Sequence, residues 1–195
     1  MINARDVVTG IYGAWRLLLF DRAAIRIVDS TIGGYWKSFF AAVIALPGVF
    51  ILRVLFIDAN PDLVSQAGTD RIAMVFALDY VYQWILFPLF MVYVAEAIGR
   101  RRQYVTFIVA RNWSQVLQIA IILPPAVILV AGGSDDPGAG WVLLIAAHMA
   151  TWIYGWFIAR TALDISGLAA AFVVFAELVI GILISLVSEL LIGSL

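Results

Sequence analysis

Residues 96–104 read EAIGRRRQY, and the three consecutive arginines Arg100, Arg101 and Arg102 separate two long apolar runs, 71–98 and 104–131. A helix of about 20 apolar residues crosses a bilayer. Lipid offers the backbone no hydrogen-bond partners, so each crossing must be helical. The arginines therefore mark a short basic turn between two antiparallel crossings, and positive residues collect on the cytoplasmic side.

Working outward from this turn gives three further apolar segments, 36–57, 141–163 and 167–192. The composition agrees. The 195-residue chain is 64% hydrophobic and 13% charged, against about 25% charged for a soluble domain, and its mean hydropathy is +1.03. The fold class expected is an all-α, polytopic membrane bundle of five transmembrane helices, residues 35–195, preceded by a cytoplasmic N-terminal segment, 1–34.

Charge sets the orientation. Arg5, Arg16, Arg22, Arg26 and Lys37 precede the first span, the triple arginine and Arg111 follow the second, and Arg160 closes the fourth. Asp58, Asp62, Asp70, Asp135 and Asp136 fall in the opposite loops. A bacterial inner membrane, N-terminus inside and C-terminus outside, satisfies nearly every charge. Arg100, Arg101 and Arg102 are then topology anchors, and they also suit anionic lipid headgroups. The opening residues MINARDVVTG have no continuous apolar core of a cleavable signal.

Within 4–20, Val7, Val8, Ile11, Tyr12, Trp15, Leu18 and Leu19 recur at helical spacing, with Arg5, Asp6, Thr9 and Arg16 opposite. This is an amphipathic helix, lying either on the membrane surface or across the ends of the spans. Further on, IALPGVFIL (44–52) aligns with IILPPAVIL (121–129), and the same offset pairs Trp36 with Trp113 and Asp58 with Asp135. The match is that expected of a duplicated two-span unit.

Several function classes are excluded or unsupported. Absence of cysteine removes disulfides, thiolate metal sites and cysteine nucleophiles. One histidine leaves no ordinary zinc or haem ligand set, and a net charge of −1 carries no nucleic-acid signature. Ser134 and His148 do not make a nucleophile–base pair on spacing alone, and no P-loop or dinucleotide fingerprint is present. No cofactor is expected and no enzyme.

Polar residues inside the membrane are costly and face protein or water. Arg53 and Asp79 come within reach on antiparallel neighbours, giving either an ion pair or, with Gln83 one turn on, a protonatable coupling site. Glu177 has no local complementary charge. Burial without a partner would keep it neutral, either donating to a carbonyl freed by a proline kink or serving a proton or cation site. Arg111, Gln115 and Gln118 share one helical face, which points into the bundle. In the fourth span Ala147, Thr151, Gly155 and Ala159 form a small-residue packing ridge. Beside it, His148, Trp152, Trp156 and Arg160 form a row that either stacks a ligand or fills a groove.

This layout resembles the Yip family of small membrane proteins. The resemblance covers most of 35–192 and rests on an N-terminal cytoplasmic segment, five spans, short loops, and Leu46-Pro47 and Leu123-Pro124 in the first and third spans. It implies a non-enzymatic scaffold or membrane-organising protein with a protein partner or a second copy of itself. The family's Asp-Leu-Tyr-Gly-Pro stretch, associated with contact to Rab GTPases, is absent; Ile11-Tyr12-Gly13 is followed by Ala14. The alternative is a small transporter or channel subunit using Asp79, Gln83, Gln118, His148 and Glu177. A wet midplane pocket lined by these residues favours transport, and a dry, ridge-packed bundle favours the scaffold.

Overall fold

The computed structural model describes residues 2–131 and 137–193. Ser134, Asp135 and Asp136 lie outside the described residues. The fold is an all-helical bundle, with no strand among the described residues. The helices are α1 (Ala4–Leu18), α2 (Ile32–Ser38), α3 (Phe40–Ala59), α4 (Pro61–Ala67), α5 (Thr69–Ala97), α6 (Tyr104–Ala131), α7 (Pro137–Ala162) and α8 (Gly167–Gly193), with 3₁₀ turns at Arg22–Arg26 and Arg101–Gln103. Among the described residues five helical stretches are long and apolar enough to cross a membrane: α2 continued by α3, then α5, α6, α7 and α8.

The boundaries follow local chemistry. Asn3 caps α1 by accepting from the Asp6 N–H at 2.8 Å, while Asp6 accepts from the Asn3 N–H at 3.0 Å, a reciprocal capping box. Helix α5 stops before the arginine turn because Gly99 takes φ +70°, a conformation costly for other residues. That lets the Arg100 N–H reach the Ala95 carbonyl at 2.7 Å. The link after the first span is partly helical, as α4, since Pro61 stands at a first helical position, where its missing N–H costs nothing.

Helix α6 is the central element. It packs most extensively against α7 and α3, and its first turns meet α1 and α2; α8 lies between α5 and α7. Small residues permit the close approaches. Ala41 and Ala45 of α3 are buried, and a Cβ on Gly48 would stand 2.6 Å from Ile119. Ala147, Thr151 and Ala159 of the α7 ridge are buried.

Helix α1 packs across the basic end of the bundle rather than lying free on a surface. Gly10 sits directly on the Trp113 ring, Leu17 is fully buried, and Tyr154 donates to the Ala14 carbonyl at 2.6 Å. Lys37 ties α2 to α1 through Asp6 at 3.0 Å. On the opposite face Val8, Tyr12, Trp15 and Leu19 stay exposed, a stripe suited to a headgroup layer. Of the two expectations for this helix, packing across the ends of the spans is the one its buried face shows.

This cap also separates the two halves of the apparent repeat. Trp113 is buried under α1, whereas its repeat partner Trp36 is 69% exposed. The two positions of the apparent duplication occupy different environments.

Candidate functional site

The first turns of α6 are buried on every side, from Phe107 to Ser114, so polar groups there must find partners within the protein. Asn112 donates to Ser38 Oγ at 3.0 Å, and Ser38 donates to the Tyr35 carbonyl at 2.7 Å. Ser114 donates to the Arg111 carbonyl at 2.7 Å and receives Gln118 at 3.3 Å.

Arg111 turns the other way, toward α8. Its Nε and Nη2 lie 2.7 and 2.6 Å from Glu177 Oε1, and Gln115 donates to the same oxygen at 3.3 Å. The guanidinium stacks over Phe87 at 4.6 Å, a favourable cation–π position. Glu177 is therefore not without a partner, contrary to what its neighbours in sequence suggest. Its partner lies 66 residues away and is brought to it by the packing of α6, α7 and α8. A signal existed: α6 and α8 both enter from the basic end, and at 1.5 Å per residue Arg111 and Glu177 fall at similar depths.

Beside this pair is a cavity of about 200 Å³ walled by α5, α6, α7 and α8. Gln83, Gln115, Gln118, His148 and Thr151 line it together with Arg111 and Glu177. His148 Nδ1 lies 2.8 Å from the Leu144 carbonyl. A carbonyl only accepts, so Nδ1 carries the hydrogen, and in the neutral ring Nε2 is left as an acceptor. Gln83, Arg111 and Gln115 also line a second cavity of about 360 Å³, between α3, α5 and α6, which includes Arg53. The two cavities share this polar wall.

Asp79 is not in either cavity lining. It pairs with Arg53 as the sequence reading allows, and Gln83 donates to the same oxygen, Oδ2, at 3.1 Å. Arg53 stacks over Phe76 at 4.4 Å. Of the residues assigned to a midplane site, Gln83, Gln118, His148 and Glu177 converge, while Asp79 touches the site only through Gln83. Arg111, Gln115 and Thr151 complete it.

In the aromatic row of α7, Trp156 donates to the Gly167 carbonyl at 2.7 Å and so fastens the turn into α8. Trp152 lines the first cavity. In the arginine turn, Arg101 approaches the exposed Glu96 at 3.4 Å and Arg100 reaches Asp164 at 3.8 Å, exposed pairs of little energetic weight. No family model, curated protein or solved structure matches this chain.

Proposed function

We propose that this chain is a non-enzymatic integral membrane protein that passes a small polar solute, with the basic end of the bundle facing the cytoplasm. The observation that supports this reading is the polar lining of the four-helix cavity. A scaffold needs only helix contact, and well-packed apolar side chains in place of a buried ion pair are often neutral or stabilising. Here the inward faces of four spans instead carry amides, an imidazole, a hydroxyl and an ion pair. Such groups normally mark a solute or ion path.

Size and charge narrow the solute. At roughly 30 Å³ per water molecule, a cavity of about 200 Å³ has room for several waters or one small organic molecule. Arg111 and Glu177 cancel, so the lining favours a neutral or dipolar solute over a simple ion. The arginine turn keeps its anchoring role and faces anionic lipids.

Solute-driven swelling of proteoliposomes, with a panel of small neutral and zwitterionic solutes, tests the reading. At least one solute should enter faster than into protein-free vesicles. Gly181 lines the cavity, and a Cβ there would meet nothing within 4 Å. Gly181→Leu should therefore block entry while the melting temperature holds. Entry no faster than in empty vesicles, or insensitive to Gly181→Leu, would return the protein to the scaffold class.

A further inference from the structure

A carboxylate oxygen buried in an apolar setting without a hydrogen-bond donor is rare in folded proteins. Asp79 is 98% buried, as its relative exposure of 2% shows. Arg53 and Gln83 both address Oδ2, and Oδ1 has no partner. Asp79 also lines a cleft of about 360 Å³ between α5 and α8 that neither polar cavity includes. The rest of that cleft is nearly all apolar, with Leu78, Tyr82, Leu86, Leu183 and Val187 along its exposed walls. These side chains belong to the outward faces of two membrane-spanning helices, so the cleft opens sideways into lipid.

We propose that the α5–α8 cleft binds a membrane-dissolved molecule with an apolar body and a hydroxyl group, and that on binding the Asp79 side chain, whose Oδ1 is covered in this structure, turns so that the hydroxyl donates to Oδ1. The chemistry selects this class. Asp79 needs a donor, and hydrocarbon chains have none. An ammonium would donate too, but Arg53 already neutralises the carboxylate, so a second cation would bring an uncompensated charge to mid-depth. A hydroxyl supplies the missing bond without adding charge, and bonds to an ionised acceptor are the stronger kind. A helix from a second copy has its own backbone donors occupied, leaving only a side chain to make this bond. Gln83 joins Asp79 to the first polar cavity and Arg53 joins it to the second, while Ile184 lines both the cleft and the solute cavity.

The test is photolabelling of the protein in lipid nanodiscs with a long-chain primary alcohol carrying a diazirine on its chain, against the matching methyl ether. The alcohol should label α5 and α8 peptides roughly tenfold more than the ether, the ratio expected for one charge-assisted hydrogen bond. Asp79→Asn should shrink that ratio, and Leu183→Trp should abolish labelling by filling the cleft. Equal labelling by both probes, or labelling no greater than on the outward face of α7, would overturn the proposal. Labelling that appears only when a dimer is dissociated would assign the cleft to a second copy and overturn it as well. Leu183 does not line the solute cavity, so Leu183→Trp should leave solute entry unchanged, and Gly181→Leu should leave alcohol labelling unchanged. Failure of either proposal is thus visible separately.

Discussion

Among the described residues the bundle contains two buried ion pairs with the same three parts: an arginine, a carboxylate, and a phenylalanine under the guanidinium. They are buried in opposite senses. In Arg53–Asp79 the acid is the deeply buried partner, at 2% side-chain exposure against 31% for the arginine. In Arg111–Glu177 the arginine is the buried one, at 10% against 28% for the glutamate. Breaking a buried pair is costly chiefly through the charge left behind, so the two pairs should respond oppositely to loss of the same residue type.

The largest effects should come from Arg53→Gln and Glu177→Gln, which strand Asp79 and Arg111 respectively. Arg53→Gln should lower stability by about 3–5 kcal/mol in detergent melting, and Glu177→Gln by less, because Arg111 lines the polar cavity. Asp79→Asn and Arg111→Gln strand the more accessible partner, which can turn toward headgroups or cavity water, and should cost roughly 1 kcal/mol. Equal losses for both members of a pair would break the comparison.

Next in size is the coupling within a pair. The double variant Arg53→Gln/Asp79→Asn removes both charges and should recover part of the loss, giving an interaction energy above the scatter of about 0.5 kcal/mol. Strict additivity would mean that the two residues do not stabilise each other.

The smallest effect belongs to a further, half-buried pair at the cap. The Asn3 backbone N–H, and secondarily Lys37, hold the Asp6 carboxyl below its ordinary value. A depressed acid adds stability above the unfolded value, near about 3.9, and loses it as pH falls through the lower folded value. The melting difference between the native chain and Asp6→Asn should therefore be present at pH 7 and vanish in strong acid. A difference that persists there would show that the cap does not depend on the Asp6 charge.

The two buried pairs also show what the sequence could disclose. Spans 71–98, 104–131 and 167–192 stand within two residues of α5, α6 and α8, because apolar run length and the need for internal backbone bonding leave few alternatives. Arg53 and Asp79 were pairable because a short link forces their helices to be antiparallel neighbours. Arg111 and Glu177 were not, since their contact depends on the order of α6, α7 and α8 around the bundle, which periodicity does not encode. The burial of Trp113 was hidden for the same reason: only the docked α1, through Gly10, covers its ring. The polar face of Arg111, Gln115 and Gln118 was legible as inward-pointing, but the cavity it lines required the other three helices.

The central claim is that the space enclosed by α5–α8 is wet. The chain has no cysteine, so a single introduced thiol reports on its own surroundings, and only the thiolate, which needs water, reacts readily. Gln118→Cys in the cavity and Leu89→Cys on the exposed apolar surface of α5, both in nanodiscs, should be compared for reaction with a small water-soluble methanethiosulfonate. The account predicts prompt modification at position 118 and little at position 89. A Gln118→Cys thiol as inert as the lipid-facing one would contradict it.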